Sequence, residues 1–102
     1  MSFKESDDSL AELLTLTCEV DERGTIKWRN SAGELHRIHG PAVIFYHGEK
    51  QWHQHGHLHR EDGPALTDPY GTEYWYLHGV RLSETEWRIS TKGARNVTST
   101  GR

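Results

Sequence analysis

The stretch "GHLHREDGPAL", residues 56–66, resembles an active site, because it places two histidines, an arginine and two carboxylates beside a Gly-Pro bend. It has a near copy 23 residues upstream in "GELHRIHGPAV", residues 33–43. The shared positions are Gly33/Gly56, Leu35/Leu58, His36/His59, Arg37/Arg60, Gly40/Gly63, Pro41/Pro64 and Ala42/Ala65. A motif that recurs at a fixed period indicates repeat architecture before it indicates chemistry.

The residues around these two stretches follow the same period. A glycine stands four residues before each of three tryptophans, and another glycine follows each tryptophan by four or five residues. These positions are Gly24, Trp28 and Gly33, then Gly48, Trp52 and Gly56, then Gly71, Trp75 and Gly79. The sequence therefore contains about three units of 23 residues, and the pair Ser31-Ala32 adds one residue to the first.

Short apolar runs alternate with glycine-containing turns throughout residues 18–82. In the first hairpin, "TCEV" and "TIKW" flank "DERG", which places a glycine late in the turn. We therefore predict a mainly β fold, an antiparallel β-hairpin meander of roughly seven short strands. The three tryptophans are expected to stack as a ladder across the hairpins, and Gly40 and Gly63 are expected to adopt positive φ at the Gly-Pro bends.

Four segments are predicted along the chain. An N-terminal segment (residues 1–17) includes a short helix at residues 7–16, with Ser9 and Glu12 at capping-box spacing. The β-repeat domain occupies residues 18–82. A C-terminal capping helix follows at residues 83–90, where Ser83 and Glu86 have the same spacing. Residues 91–102 are polar and are expected to be disordered.

Composition limits the class of protein. The chain has 102 residues, only 33% of them hydrophobic, but it has four tryptophans and four tyrosines, which suits a thin, aromatic-rich sheet. Its net charge of −3 does not favour nucleic-acid binding. The sequence has no apolar run of about 18 residues, so we expect no membrane span and a cytoplasmic location. Cys18 is the only cysteine and is expected to be buried, without a disulfide.

The units "WHQHGHLHREDGPAL" and "GTEYWYLHGVRLSETEW" resemble the MORN-variant (HREDGPA-type) repeat proteins of bacteria and phages. The resemblance covers about residues 20–88 and implies an elongated, twisted antiparallel sheet that serves as an interaction surface. It also implies a phage or mobile-element protein that sterically blocks a host defence complex in the bacterial cytoplasm. The chain departs from the pattern at Ile38-His39 in the first unit and at Leu82-Ser83 in the third.

The predicted function is binding of a protein partner, without catalytic residues, metal or cofactor. Aromatic side chains and the polar set of the second unit are the predicted contacts. These residues are Trp28, Trp52, Trp75, Tyr46, Tyr74, Tyr76, Arg60, Glu61 and Asp62. Open terminal strands also predict a homodimer formed by edge-strand pairing.

Three alternatives stay open at this point. His53, His55, His57 and His59 alternate along the chain, which suits a zinc or nickel site, and His59 with Glu61 or Asp62 suits hydrolytic chemistry. An antitoxin-like partner of a toxin is the third alternative. Nucleic-acid stacking on the tryptophans is disfavoured by the net negative charge. Because the motif has the period of the fold, we expect its shared residues to be structural.

Overall fold

The computed structural model describes the backbone of residues 14–100 and the side chains of residues 14–92. Leu14 and Thr15 are helical. The rest of the predicted N-terminal helix, including the Ser9 and Glu12 pair, lies outside the described residues.

The described part of the chain is mainly β, as predicted. Seven strands form one antiparallel sheet in the order β1-β2-β3-β4-β7-β8-β9, and β5 and β6 form a two-stranded sheet. The strands are β1 (Thr17–Val20), β2 (Ile26–Arg29), β3 (Val43–Ile44), β4 (Lys50–Gln51), β5 (His53–Gln54), β6 (His57–Leu58), β7 (Leu66–Thr67), β8 (Glu73–Leu77) and β9 (Val80–Leu82). Short turns join β1 to β2, β3 to β4, β7 to β8 and β8 to β9. Longer segments link the other neighbours: residues 30–42 join β2 to β3, and residues 52–65, which contain β5 and β6, join β4 to β7.

Two loops interrupt strands that otherwise run straight through the meander. The amide of Trp28 donates to the carbonyl of Ala42 (2.8 Å), and the carbonyl of Trp28 accepts the amide hydrogen of His36 (3.0 Å). The residues directly before and after the first loop (residues 37–41) therefore both pair with the strand that contains Trp28. The second loop (residues 60–64) has the same setting around Trp52, which bonds to Ala65 (2.7 Å) and His59 (3.0 Å). Each HR-x-x-GP motif is therefore an insertion between two halves of a strand.

The hairpin turns lie in two rows at opposite ends of the strands. We call one row the turn ridge: residues 21–25, 45–49 and 68–72, each with a glycine at positive φ. The opposite row includes the His-Gly turns at His55-Gly56 and His78-Gly79. In these turns both residues have positive φ, near 51° and 83° in the first and 52° and 82° in the second. Two successive positive φ values define the type I′ turn, whose twist matches that of the strands.

The tryptophans do not form the predicted ladder. Backbone bonds place Ala42 between the strands of Trp28 and Trp52, and Ala65 between those of Trp52 and Trp75. Adjacent tryptophans are therefore two strand spacings apart, roughly 9.6 Å, which is too far for their rings to stack.

The core formed by the described residues is thin. Its buried hydrophobic residues are Ala42, Val43, Ala65, Trp75 and Trp87, and Thr25, His36, His53 and His59 are buried beside them.

A helix, α1 (Glu84–Thr100), follows the last strand. It begins at the predicted capping box, since the amide of Glu86 donates to Ser83 Oγ (3.1 Å) and the amide of Ser83 donates to Glu86 (2.9 Å). Trp87 packs on Trp75, with ring centroids 4.6 Å apart. This contact covers the end of the sheet, as a capping element should.

The predicted end of this helix at residue 90 is wrong, because α1 continues through most of the segment that was expected to be disordered. Two local contacts join residues one turn apart after the capping box. Arg88 binds Glu84, with N–O distances of 2.6 and 2.9 Å, and the Thr91 hydroxyl donates to the Trp87 carbonyl (3.0 Å). The ion pair between Arg88 and Glu84 stabilises the helix locally, because side chains four positions apart lie on the same side of a helix.

Cys18 is exposed, contrary to the prediction. It lies on β1, which among the described strands pairs with β2 alone and forms the edge of the seven-stranded sheet. The side chains of an edge strand have no neighbouring strand on one side, and all four residues of β1 are exposed. No helix in residues 14–100 is long and apolar enough to cross a membrane.

Candidate functional site

The second loop (residues 60–64) is organised around the guanidinium of Arg60. This group lies 3.7 Å from the ring centre of Trp52, and its Nη1 donates to the carbonyl of Pro64 (3.1 Å). Its Nε donates to Asp62 (2.8 Å). A Cβ atom on Gly63 would lie 2.6 Å from the guanidinium carbon, so Gly63 leaves room for the arginine between the loop and the tryptophan.

The first loop (residues 37–41) repeats this arrangement. The Arg37 guanidinium lies 4.3 Å from the ring centre of Trp28 and donates to the Pro41 carbonyl (3.2 Å). A Cβ atom on Gly40 would lie 2.8 Å from it. Neither Gly40 nor Gly63 has positive φ, so that prediction is wrong. A side chain at either position would displace the arginine, whereas the backbone conformation itself does not favour glycine there.

His59 joins the second loop to the next hairpin. Its Nδ1 accepts the amide hydrogen of His78 (2.9 Å), and its Nε2 lies 2.9 Å from a Glu61 carboxylate oxygen. Because Nδ1 is an acceptor, the hydrogen of the neutral ring is on Nε2 and is donated to Glu61. The His59 side chain is only 4% exposed. The histidine therefore provides a polar contact between neighbouring units.

His36 has the same role in the first unit. Its Nδ1 accepts the amide hydrogen of His55 (3.0 Å), and the two rings are 4.5 Å apart. Glu34 lies beside this pair, 2.9 Å from the Asn30 amide and 3.4 Å from the His55 ring. The hydrogen bond from Asn30, followed by the contact with His55, lowers the pKa of Glu34 below its ordinary value.

This geometry gives no support to hydrolytic chemistry at residues 59–62. Both ring nitrogens of His59 are engaged within the protein, and the ring is buried. A general base must reach a proton of the substrate, and His59 has no nitrogen available for that purpose. The residues that first suggested an active site hold the loop and the neighbouring turn together.

The alternating histidines do not assemble into a metal site. His53 stands opposite Leu58 in the β5–β6 pair, and Gln54 stands opposite His57. His53 Nε2 bonds to Gln51 (2.9 Å), and burial lowers the pKa of His53. Among residues 14–92, no group of three or more histidine, cysteine or carboxylate side chains is arranged to hold a metal ion.

The predicted contact residues are divided between different surfaces. Trp75 lies on one face of β8 and is buried by Trp87, whereas Tyr74 and Tyr76 alternate to the opposite face and are half-buried. The predicted aromatic contacts therefore do not share one face of the sheet. Trp28 and Trp52 are half-buried under their arginines, and Glu61 and Asp62 are exposed beside Arg60. Tyr46 is 54% exposed and lies on the turn ridge.

The turn ridge carries the two most exposed tyrosines among the described residues, and sequence reasoning missed one of them. Tyr70 is 93% exposed. The turns lie side by side, since a Cβ atom on Gly24 would be 3.9 Å from that of Tyr46, and one on Gly48 would be 3.8 Å from Pro69. The tips of the three turns therefore form one continuous surface.

Side-chain acceptors hold the first and last turns of the ridge in shape. Asp68 Oδ1 accepts the amide hydrogens of Tyr70 and Thr72, both at 2.9 Å. Asp21 Oδ1 accepts three amide hydrogens of its own turn, and the bond from Thr25 is the largest cause of the lowered pKa of Asp21. The sequence signal for Tyr70 was the stretch D-P-Y-G, which places an aromatic residue at the tip of a turn that proline and aspartate make rigid.

An open groove of about 670 Å³ adjoins the ridge on the tryptophan-bearing side of the sheet. Gly48 belongs to both surfaces, and Lys50 and Glu73 follow directly after ridge turns. The groove is lined by Pro41, Ile44, Gly48, Lys50, Trp52, Arg60, Pro64, Thr67 and Glu73. The lining combines apolar residues with the charged side chains of Lys50, Arg60 and Glu73, and the groove is open to solvent.

The chain was compared with protein-family models, with curated proteins and with solved structures, and none of them matches it. The likeness of its motifs to MORN-variant repeats therefore remains a resemblance. The candidate site is defined by geometry alone: the turn ridge and the groove beside it.

Proposed function

We propose that the protein is a non-enzymatic protein-binding module whose contact surface is the turn ridge together with the adjoining groove. The exposure of Tyr70 is the observation that carries the proposal. A tyrosine that is 93% exposed contributes almost nothing to the stability of its own fold. It offers instead a large aromatic surface that a partner can bury.

The rigidity of the ridge favours binding. Pro69 fixes one backbone angle of the turn, and Asp68 holds the amides on both sides of Gly71. A tyrosine on such a turn loses little conformational entropy when it is buried by a partner. Tyrosine is also among the residues that dominate binding energy in protein interfaces. These properties support a protein partner over a small-molecule substrate.

The structural contacts of the motif histidines and arginines support a binding function without catalysis. The histidines and arginines of both HR-x-x-GP motifs are engaged in contacts that build the fold. A binding module can act by covering a surface of its partner, which agrees with the expectation that this protein blocks a bacterial host defence complex in the cytoplasm. The proposal of that particular partner rests on the motif resemblance.

Affinity capture from a bacterial lysate tests the proposal. The wild type is compared with a Tyr46→Ala/Tyr70→Ala variant and with a Val80→Ala/Ile89→Ala control, which removes two exposed apolar side chains away from the ridge. We expect a specific protein to be recovered by the wild type and the control, and at least tenfold less by the tyrosine variant. Equal recovery by all three baits would place the contact surface elsewhere. Circular dichroism confirms that each bait is folded.

A further inference from the structure

We propose that the turn ridge binds a basic protein segment, with an arginine side chain of that segment stacked on the Tyr70 ring. This inference rests on the proposed function and specifies the chemistry of the partner. Two independent features lead to it: the charge of the ridge, and the way in which arginines cover aromatic rings elsewhere in the molecule.

The charge of the ridge is strongly negative for its size. Its three turns contain four carboxylates and one guanidinium, so their formal charge is −3, which equals the net charge of the whole chain. The charged residues are Asp21, Glu22, Arg23, Glu49 and Asp68. Complementary charge raises association rates and selects among partners. A partner with basic residues is therefore favoured at this surface.

The fold places arginine over aromatic rings, whether these are buried, half-buried or exposed. Five such contacts involve residues 14–92, with guanidinium-to-ring distances between 3.7 and 5.6 Å. The pairs are Arg23 with Tyr46, Arg37 with Trp28, Arg60 with Trp52, Arg81 with Tyr74, and Arg88 with Trp75. A guanidinium stacks on an aromatic ring through its planar, weakly hydrated cation. Arginine is thus the complement that this protein already uses for its aromatic surfaces.

Tyr70 lacks such a cover. On the ridge, Arg23 of the first turn lies over Tyr46 of the second and donates to its hydroxyl (3.2 Å). Tyr70 lies on the last turn of the ridge, and no arginine or lysine within residues 14–92 lies over its ring. A partner arginine would supply at Tyr70 the contact that Arg23 supplies at Tyr46.

A carboxylate beside Tyr70 strengthens the preference for arginine. Asp68 accepts the amide hydrogens of its turn with Oδ1, and its Oδ2 has no hydrogen bond to any of residues 14–92. A guanidinium can stack on a ring and donate to a carboxylate at the same time, whereas an ammonium group is a compact point charge. The groove is lined by two basic residues, Lys50 and Arg60, and one acidic residue, Glu73, so the basic segment belongs on the ridge and not in the groove.

Two synthetic peptides test the arginine contact without knowledge of the partner: acetylated (Gly-Arg)₃-amide and its lysine counterpart (Gly-Lys)₃. Each is titrated against the full chain at low salt, with NMR shifts of the ridge amides as the readout. We expect the arginine peptide to bind the wild type about threefold more tightly than the lysine peptide. This preference should disappear in Tyr70→Leu and persist in Tyr70→Phe. Equal affinity of both peptides for the wild type, or an unchanged preference in Tyr70→Leu, would overturn the proposal.

A charge-reversed bait, Glu22→Lys/Glu49→Lys, separates this inference from the proposed function in the lysate capture. If the inference is correct, capture falls with this bait as it does with the tyrosine variant. Capture that is lost with the tyrosine variant but retained with the charge-reversed bait contradicts a basic partner and leaves the binding function intact. Capture that is equal for every bait contradicts both proposals.

Discussion

The first loop (residues 37–41) and the second loop (residues 60–64) have the same architecture but differ in their polar side-chain contacts. In both, an arginine lies on the preceding tryptophan and donates to a proline carbonyl, and the histidine before it accepts an amide of the next hairpin turn. Only the second loop adds Glu61 on His59 and Asp62 on Arg60. The contacts common to both loops are therefore the ones that the repeated motif supplies.

Burial explains why the shared contacts matter more. His59 is 4% exposed, so loss of its ring would leave a cavity and an unpaired amide. The Glu61 and Asp62 side chains are 69% and 73% exposed, where solvent screens a polar contact. The difference between the loops thus predicts a ranking of effects, from the histidines down to the carboxylates.

The largest effect is expected from the buried histidines. His59→Ala should lower the free energy of unfolding by about 3 kcal/mol, because it removes buried ring contacts and leaves the His78 amide without an acceptor. His36→Ala should have a similar effect through the His55 amide. Urea unfolding followed by tryptophan fluorescence measures both.

Asparagine at either histidine position serves as the control, because its side-chain oxygen can replace Nδ1 as the acceptor. We expect His59→Asn and His36→Asn to recover part of the stability lost in the alanine variants. An effect below about 1 kcal/mol for His59→Ala would show that the amide contact does not hold the two hairpins together.

The second effect concerns the close contact between the glycine of each loop and the guanidinium group of the loop arginine. Gly63→Ala should cost about 1–2 kcal/mol, because the new Cβ displaces the Arg60 guanidinium from Trp52. In an Arg60→Ala background the same substitution should cost much less. This double-mutant cycle isolates the coupling between the two residues. The matched cycle with Gly40 and Arg37 should give the same sign, and additive effects in either cycle would exclude the steric explanation.

The period of the sequence predicted the sheet and its antiparallel order, and the spacing of Ser83 and Glu86 predicted the start of the helix. These features depend on local patterns, such as glycine turns and capping boxes, which are visible in a short stretch of chain. The sequence did not reveal that Arg60 would stack on Trp52 or that His59 would accept an amide of the next hairpin. Those contacts depend on distances between strands, which a linear pattern does not contain.

The candidate site was predicted less well than the fold. Tyr46 and the carboxylates of the second loop were expected at a binding surface, and they are exposed. Trp75 was also expected there, but Trp87 of the helix covers it. Aromatic residues fill cores and interfaces alike, so their position decides their role. Tyr70 is absent from the predicted contacts because the stretch D-P-Y-G indicates a turn, and a turn pattern does not show how far an aromatic side chain projects from the fold.

The third effect depends on pH and concerns the residue whose carbonyl accepts the amide hydrogen of each loop arginine. The Arg37 amide bonds to the His53 carbonyl (3.0 Å), whereas the Arg60 amide bonds to that of Tyr76 (3.3 Å). Burial lowers the pKa of His53 below its ordinary value of 6.5. The unfolded chain therefore binds more protons below pH 6.5, and stability should fall as the pH falls from there towards the folded pKa.

A non-titrating variant separates His53 from the other histidines. Unfolding free energies of the wild type and of His53→Gln are compared at pH 7.5 and 5.5. We expect the wild type to lose more stability on acidification than the variant does. An equal loss in both proteins would assign the acid sensitivity to other groups.

The smallest effect is expected where the loops differ most in sequence. Glu61→Gln and Asp62→Asn should each change the free energy of unfolding by about 0.5 kcal/mol or less, because both carboxylates are exposed. The first loop supports this expectation, since it keeps its arginine on Trp28 with Ile38 and His39 at the corresponding positions. Thermal unfolding at low and high salt measures the change, and salt should abolish it. A loss above about 2 kcal/mol would show instead that the second loop depends on its carboxylates, and the two loops would then not share one architecture.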